Sequence, residues 1–278
     1  MCGIAGYIGK NCCENILIDF LGVLEYRGYD SSGIAIKIDN KIKVIKDIVR
    51  IGELKKSVQS KTYNTLGIGH TRWATHGGVE QKNSHPHLSS NGEWCIVHNG
   101  IIENYLQLKS DLIKKGCVFN SDTDSEVIAQ ILEQNNVDDL NGFAKCIDLL
   151  EGSYAICAIN NKSNAMFLAR NKSPLYVGIA DDGKYISSDI VCFEGYCQKY
   201  IDLDNNEICY ISDNSIVVRD KNINIVDKKY FNLPKIINSR IIGKYNTYME
   251  KEINEIPEVC DRVIQQYMSH DYFKNIKK

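Results

Sequence analysis

The sequence predicts an α+β fold in which two β-sheets pack against each other and helices cover their outer faces. Three observations predict it. Short apolar runs of strand character open the chain, helical periodicity follows in the middle, and β-rich runs return after about residue 150. Every sheet and helix must bury its apolar face against another layer, and a layered α+β domain satisfies elements in this order.

The first part of the chain predicts a strand, a helix and a hairpin. Residues 3–9 form a short apolar run, and apolar residues recur at helical spacing between Ile16 and Leu24. The further strand-like runs are residues 33–38, 42–48, 66–70 and 94–98. The last two run directly into polar motifs, and functional residues concentrate at such strand ends.

Helices dominate the middle of the chain and short strands its last part. The predicted helices are residues 103–115, 124–133 and 140–150, and the predicted strands that follow are 154–159, 165–169, 175–179, 208–211 and 215–218. A separate helix is predicted to begin at Pro257, since proline suits the first helical position. We therefore expect one domain over residues 2–240 and a linker or docking helix over 241–278.

Composition excludes several classes of protein. The 33 basic and 35 acidic residues give a net charge of −2 without a basic cluster, which argues against a nucleic-acid partner. No run approaches the roughly 20 apolar residues that span a membrane, and the N-terminus does not have the pattern of a secretory signal. Eleven cysteines, an odd number, favour reduced thiols and a cytoplasmic protein.

Cys2 stands directly after the initiator methionine, and its position predicts a nucleophile. Removal of Met1 places a thiol and a free α-amine on one residue. An α-amine has a pKa of roughly 7.7 to 8, so part of it is an unprotonated base near neutral pH. The alternative is that Cys2 is an incidental residue of the first strand.

Three further motifs supply groups that an acyl-transfer site needs. The amide of Asn99 and the backbone N–H of Gly100 follow a predicted strand and suit an oxyanion, although Asn-Gly is also typical of a hairpin turn. Arg72 can grip a carboxylate through two hydrogen bonds, or form a surface salt bridge. Asp124 lies in an acidic helix start, where it either caps the helix or receives a substrate ammonium.

Together these groups specify an amino acid that carries a side-chain amide. Arg72 and Asp124 would hold its carboxylate and ammonium, and Cys2 would attack its acyl carbon. Because His76, His85 and His87 lie close in sequence, a metal site is an alternative, but no cysteine or carboxylate stands at a familiar ligand spacing beside them. The chemistry requires neither a metal nor an organic cofactor.

The motifs, read together, resemble the glutaminase half of the glutamine:fructose-6-phosphate amidotransferases, which are glucosamine-6-phosphate synthases and class II glutamine amidotransferases. The resemblance covers residues 2 to about 240. It rests on the segments 2–4, 25–31, 70–77, 85–87, 98–104 and 123–124, with later support from 169–174 and 187–189. The run His-Thr-Arg-Trp-Ala-Thr-His-Gly at 70–77 distinguishes this branch from other class II amidotransferases.

The resemblance implies a four-layer αββα sandwich of the N-terminal-nucleophile (Ntn) hydrolase type. It also implies that Cys2 is the nucleophile with its own amine as base, and that L-glutamine is the substrate. The roles that it implies for other residues are an oxyanion hole (Asn99, Gly100), a glutamine site (Arg72, Trp73, Thr75, His76, Asp124) and a supporting set (Arg27, His85, His87). Trp73 would also gate an ammonia channel, and His85 or His87 would contact the partner domain or the sugar site.

The family's isomerase (SIS) half, which binds fructose-6-phosphate, would follow residue 278, and residues 248–253 resemble the junction that leads into it. The chain would then be an excised domain, one subunit of a split enzyme, or a truncated product, and a homo-oligomer stays open. Other functions also stay open: a non-catalytic glutamine-binding or regulatory module, the glutaminase of another class II amidotransferase, or an amidohydrolase with a different small amide as substrate.

Overall fold

The structure, a computed structural model, describes residues 2–58, 63–234, 244–245 and 247–269. The chain forms two compact units, residues 1–236 and 237–278. The second unit contains the long helix over residues 248–269. The predicted domain boundary after residue 240 lies outside the described residues.

The strands of the described residues form two antiparallel sheets, one of eight strands and one of six. In chain order they are β1 (Gly3–Gly9), β2 (Ser31–Ile38), β3 (Lys41–Asp47), β4 (Leu66–Arg72), β5 (His87–Leu88), β6 (Trp94–Ile102), β7 (Gly152–Asn160), β8 (Ala165–Asn171), β9 (Tyr176–Ala180), β10 (Gly183–Ser187), β11 (Lys199–Asp202), β12 (Glu207–Ser212), β13 (Ile216–Arg219) and β14 (Phe231–Asn232). The first sheet has the order β14-β11-β9-β10-β1-β4-β2-β3, and the second β13-β12-β8-β7-β6-β5.

The helices of the described residues lie between these strands or after them. They are α1 (Cys13–Leu24), α2 (Ile51–Ser57), α3 (Tyr105–Lys114), α4 (Glu126–Gln134), α5 (Leu140–Ile147) and α6 (Tyr248–Ser269). Short 3-10 turns occur at Glu25–Arg27, Gln81–Asn83 and Ile190–Phe193.

Alternation along the strands explains why the first unit has four layers. Successive residues of a strand point to opposite faces of its sheet. In β1, Ile4 and Ile8 belong to the core between the two sheets, whereas Ala5 and Tyr7 belong to the core under α1. Both faces of the first sheet are therefore buried, one against the second sheet and one against helix.

The second sheet is buried on both faces in the same way. In β6, Cys95 and Val97 join the core between the sheets, and Trp94 and Ile96 join the core that the middle helices α4 and α5 cover. The layers thus run helix, sheet, sheet, helix, and the predicted α+β sandwich is confirmed.

Most predicted elements are confirmed, with ends displaced by a few residues. The prediction that a helix begins at Pro257 is wrong, because α6 begins at Tyr248 and Pro257 lies inside it. The short helix α2 and four short strands were not predicted from the sequence: β5, β10, β11 and β14.

Strand β1 occupies an interior position that matters for the site. It pairs with β10 on one side and with β4 on the other, where Gly3 stands opposite Thr71. The start of β1 therefore lies beside the end of β4, and the first residues of the chain are held next to the motif that follows residue 70.

Candidate active site

Cys2 lies at the start of β1, and its thiol contacts the backbone of the loop after β4. The Trp73 N–H donates to Cys2 Sγ at 3.3 Å, and the thiol lies 3.5 Å from the Trp73 carbonyl oxygen. Burial raises the pKa of the Cys2 thiol above its ordinary value, and the Trp73 N–H and the Arg72 charge oppose this only in part. The resting thiol is therefore neutral and needs a base before it can attack.

Asn99 and Gly100 lie inside β6, which continues to Ile102, so the alternative of a hairpin turn at Asn-Gly is wrong. Gly100 has a φ of +131°, and a Cβ there would lie 2.0 Å from the Ser153 carbonyl oxygen, so only glycine fits. The Asn99 Nδ2 group donates to the Cys2 carbonyl oxygen at 3.0 Å. The fold thus brings the predicted oxyanion donor to the predicted nucleophile.

The guanidinium of Arg72 holds the loop that follows it. It donates to the carbonyl oxygens of Gly78 at 3.1 Å and Gly77 at 3.2 Å, and also to that of His76. Burial lowers the pKa of Arg72 without removing its charge at physiological pH. A carboxylate that bound to this guanidinium would compete with these three carbonyl groups.

The other residues of the loop after Arg72 lie in different environments. Trp73 is 39% exposed and meets Tyr29 edge to face, with ring centroids 5.9 Å apart. Thr75 is exposed, and the ring of His76 lies 5.8 Å from that of Tyr105. The backbone between Trp73 and Thr75 is fixed by Asp30, whose carboxylate accepts a hydrogen bond from the Ala74 N–H at 2.8 Å.

Asp124 is buried and does not cap helix α4. Its Oδ2 accepts a hydrogen bond from the Ile102 N–H at 2.8 Å, at the end of the strand that carries Asn99. Helix α4 begins at Glu126 without a side-chain cap, and Glu126 instead binds the backbone N–H groups of Asn120 and Ser121. The helix-capping alternative for Asp124 is therefore wrong; its second oxygen, Oδ1, lies 3.5 Å from Ser125 Oγ.

These groups converge on one small cavity of about 30 Å³. A volume of this size has room for water only. The cavity is lined by Cys2, Arg72, Trp73, Thr75, His76, His85, His98, Gly100, Thr123, Asp124 and Ser125. The structure therefore brings Cys2, Gly100, Arg72 and Asp124 to one cavity, whose enclosed part is smaller than an amino acid.

Four buried histidines, His70, His85, His87 and His98, form a cluster at this cavity, and His85 and His98 line it. The rings of His70 and His85 stack with centroids 4.1 Å apart, and His87 meets His85 at 4.4 Å. His87 Nε2 lies 3.2 Å from Thr123 Oγ1, and His98 Nδ1 lies 2.8 Å from Ser125 Oγ. The cluster therefore supports both the oxyanion strand and the segment that carries Asp124.

This cluster contains two residues of the supporting set. His85 and His87, for which the resemblance implied a contact with the partner domain or the sugar site, are 5% and 3% exposed. A supporting role inside the site fits their burial. Among the described residues, no three histidine, cysteine or acidic side chains are grouped so that they could hold a metal ion.

The cluster predicts that the free energy of unfolding falls steeply below about pH 6.5. Burial lowers the pKa of all four histidines, to about 3 for His70, whereas in the unfolded chain each binds a proton near pH 6.5. Stability is thus complete above pH 6.5 and is lost as the pH falls toward the folded-state values. Each histidine lowers the free energy of unfolding by up to about 1.4 kcal/mol for each pH unit below about pH 6.5.

Urea unfolding between about pH 8 and pH 5 measures this slope. A matched variant, His87→Gln, should remove one histidine's share of it, because glutamine does not titrate. Stability that stays level down to pH 5 would contradict the neutral, buried state of the cluster.

Arg27 supports the start of β1 through an ion pair. Its guanidinium donates to Asp189 Oδ2 at 2.7 Å, and Tyr26 donates to the same oxygen. Burial raises the pKa of Asp189, but these hydrogen bonds outweigh it and leave the pKa below its ordinary value. The neighbouring Ser188 Oγ accepts from the Ile4 N–H at 3.0 Å, so the Arg27–Asp189 pair holds a segment that anchors β1.

Four residues of the site have no role predicted from the sequence: Asp30, His70, Ser125 and Asp189. Three of them lie inside the segments 25–31, 70–77 and 187–189, which carry the family resemblance. Their partners are 29 to 162 residues away in the chain. A single sequence contains no signal for such pairings.

The described residues contain no helix long and apolar enough to cross a membrane.

A family model described as "Glutamine amidotransferase domain" matches residues 70–195. Glutamine–fructose-6-phosphate aminotransferase (isomerizing) from Staphylococcus aureus strain Mu50 is 40% identical over 272 residues, and the enzyme of the same name from Geobacillus kaustophilus is 41% identical over 271 residues. Each match covers 96% of this chain but 45% of the relative, so the chain spans less than half the length of these relatives.

Solved structures agree with the fold. A glutamine phosphoribosylpyrophosphate amidotransferase from B. subtilis superimposes with a TM-score of 0.70 and 25% identity, over 80% of this chain and 50% of that one. A structure described as the allosteric regulatory enzyme of purine biosynthesis gives a TM-score of 0.70 with 26% identity over the same shares. The chain is therefore similar to glutamine amidotransferase domains over residues 70–195, is homologous over 96% of its length to part of the glutamine–fructose-6-phosphate aminotransferases, and has the sandwich fold of the solved amidotransferase structures.

Proposed function

We propose that this chain hydrolyses L-glutamine to glutamate and ammonia, with Cys2 as the nucleophile. One observation carries the proposal: the side-chain amide of Asn99 donates to the backbone of Cys2, and Cys2 lines one cavity together with Gly100, Arg72 and Asp124. A thiol, an oxyanion donor, a cation for a carboxylate and an anion for an ammonium are the groups that this reaction needs.

The reaction begins once Met1 has been removed and the α-amine belongs to Cys2. The amine takes the proton of the thiol, and the thiolate attacks the side-chain amide carbon of glutamine. The carbonyl oxygen gains a negative charge, which Asn99 Nδ2 and the Gly100 N–H stabilise. The protonated amine then gives its proton to the leaving nitrogen, ammonia departs, and a glutamyl thioester of Cys2 remains. Water, deprotonated by the same amine, hydrolyses this thioester to glutamate.

Arg72 and Asp124 select the amino acid head group. A guanidinium pairs with the α-carboxylate through two hydrogen bonds, and the Asp124 carboxylate accepts from the α-ammonium. The enclosed part of the cavity is smaller than glutamine, so we expect the loop from Trp73 to Gly78 to move when glutamine binds. The substrate carboxylate would replace the carbonyl groups of this loop on Arg72. Thr75 and His76, which lie in the same loop, would then close over the bound substrate.

The ammonia would serve an isomerase (SIS) domain or subunit that converts fructose-6-phosphate to glucosamine-6-phosphate. Support comes from the relatives, which are glutamine–fructose-6-phosphate aminotransferases (isomerizing) and are about twice as long as this chain. Trp73, half-exposed beside the Cys2 thiol, is suitably placed to gate the passage of ammonia. None of the eleven cysteines, all of which lie in the described part of the chain, forms a disulfide, which is typical of the reducing cytoplasm.

The purified chain should release glutamate and ammonia in equal amounts, and a diazo-ketone analogue of glutamine should form a single adduct on Cys2. The analogue presents a reactive carbon where the amide carbon of glutamine would lie. Peptide mass spectrometry locates the adduct, intact mass shows whether Met1 is absent, and excess glutamine should protect the thiol. An adduct on half-buried Cys12 or exposed Cys260 instead would contradict the proposed site.

A glutamine-binding or regulatory module is the second candidate function, and the processing of Met1 separates the two. A chain that retained Met1 would have its α-amine one residue away from the thiol, without the base, while Arg72 and Asp124 could still bind glutamine. Binding without hydrolysis by a chain with a free Cys2 would favour this second function.

A further inference from the structure

We propose that His70 is a positioning residue of the oxyanion site: its ring holds the side-chain amide of Asn99 in the one orientation that presents the NH₂ group to Cys2. The proposal deepens the proposed glutaminase function and rests on it. His70 lies on β4, in the first sheet, whereas Asn99 lies on β6, in the second. The contact therefore joins the sheet of the nucleophile to the sheet of the oxyanion donor.

The surroundings of His70 determine which of its ring nitrogens bears the hydrogen. Nε2 lies 3.1 Å from the His98 carbonyl oxygen and 3.0 Å from Asn99 Oδ1. A backbone carbonyl oxygen can only accept, so Nε2 must donate. Burial lowers the pKa of His70 to about 3, so the ring is neutral and has a single N–H. Nδ1 is then an unprotonated nitrogen, and it has no hydrogen-bond partner among the described residues.

The surroundings of Asn99 fix its amide independently. Its Nδ2 lies 3.0 Å from the Cys2 carbonyl oxygen, again a group that can only accept. The NH₂ group must therefore face Cys2, and Oδ1 must face His70. One of the two amide hydrogens binds Cys2, and the other remains for the oxyanion.

If the Asn99 amide were turned over, an acceptor would face an acceptor on one side and a donor would face a donor on the other. Oδ1 would face the Cys2 carbonyl oxygen, and the NH₂ group would face the His70 N–H. An oxygen would then point toward the negative charge that develops during attack, and the transition state would lose a donor. His70 therefore acts on catalysis through Asn99 and does not touch the substrate.

Packing keeps the ring of His70 in place. The side chain is 1% exposed, and it stacks on His85 with an interplanar angle of 20°. His85 is fixed in turn, because its Nδ1 accepts from the His98 N–H at 3.3 Å. The donor thus has a rigid position, which a donor to a catalytic amide requires.

Two substitutions of His70 distinguish the effect of losing the hydrogen-bond donor from the effect of losing the ring. In His70→Gln the side-chain NH₂ can reach the position of Nε2, whereas in His70→Asn it ends about one bond short. We expect His70→Asn to lower kcat about 10- to 100-fold and His70→Gln to restore kcat to within about threefold of the wild type. The dissociation constant of glutamine, measured with Cys2→Ala also present, should change less than about twofold in both.

Two further measurements distinguish positioning from general damage. Alkylation of Cys2 by iodoacetamide displaces iodide without forming an oxyanion, so His70→Asn should be alkylated at the wild-type rate. In an Asn99→Ala background, His70→Asn should lower kcat no further, because its effect passes through Asn99. Independent, additive losses of kcat, equal losses of alkylation, or full activity of His70→Asn would each overturn the proposal.

A spectroscopic test does not depend on activity. Two-bond ¹H–¹⁵N correlation spectra of the wild-type chain should show His70 as the neutral Nε2–H tautomer at pH 7. The Nδ1–H tautomer or a protonated ring would overturn the positioning role even if neither variant folds. A wild-type chain with the expected tautomer but without hydrolysis would instead count against the proposed glutaminase function.

Discussion

Replacing Cys2 with alanine should lower glutamine hydrolysis by at least about 10⁴-fold while leaving glutamine binding nearly unchanged. The substitution removes the only atom that can form the thioester, and it costs the fold one hydrogen bond from the Trp73 N–H. Arg72 and Asp124, which would hold the head group, are untouched. Glutamate release measures the first effect, and calorimetric titration with glutamine measures the second.

Cys12→Ala is the matched control, since Cys12 is also half-buried near the N-terminus but lies away from the cavity. It should keep wild-type activity. A Cys2→Ala chain that still turned over glutamine at the wild-type rate would remove Cys2 from the mechanism.

Asp124→Asn should raise KM for glutamine about 10²- to 10³-fold. An asparagine retains an oxygen for the Ile102 N–H, so the shape and this hydrogen bond survive. The negative charge is lost, and the loss of a buried charged partner costs about 2 to 5 kcal/mol of binding. Steady-state kinetics over a wide range of glutamine concentration measure KM, and thermal unfolding measures stability.

The control for this variant is Asp122→Asn, two residues earlier. Asp122 is exposed and pairs with Lys82 at 2.8 Å, and exposed pairs contribute little. It should change neither KM nor stability by a measurable amount. An Asp124→Asn chain with a normal KM but a lower unfolding temperature would make this residue structural only.

Local patterns of sequence predicted the layers of the fold well. The continuous apolar runs at 3–9 and 94–98 reflect strands that are buried on both faces, and the helical spacing in 16–24 reflects a helix packed on a sheet. The short strands β11 and β14 and helix α2 were missed because four, two and seven residues contain too little periodicity. At Pro257 the preference of proline for the first helical turn was outweighed by helical residues on both sides.

For the site, the sequence indicated which residues take part, whereas only the structure shows which contacts they make. Cys2, Arg72, Asn99 and Asp124 could be named from the sequence because each is a reactive or charged group at the end or start of a predicted element. What sequence could not give is the state of these groups: that Arg72 already holds three carbonyl groups, or that Asn99 lies within a strand. These depend on contacts between β1, β4 and β6, which lie far apart in the chain.

The interior position of β1 has a further consequence for how the activity is lost. Chain termini usually fray, because few contacts hold them. Here the residue after the nucleophile is already paired within a sheet that has neighbours on both sides, and the strand beyond it is buried between helix and sheet. Freeing this terminus would require separating the central strands, which is close to unfolding the whole first unit. Heat inactivation should therefore be as cooperative as unfolding itself, without an earlier stage in which the folded chain has lost its catalytic end.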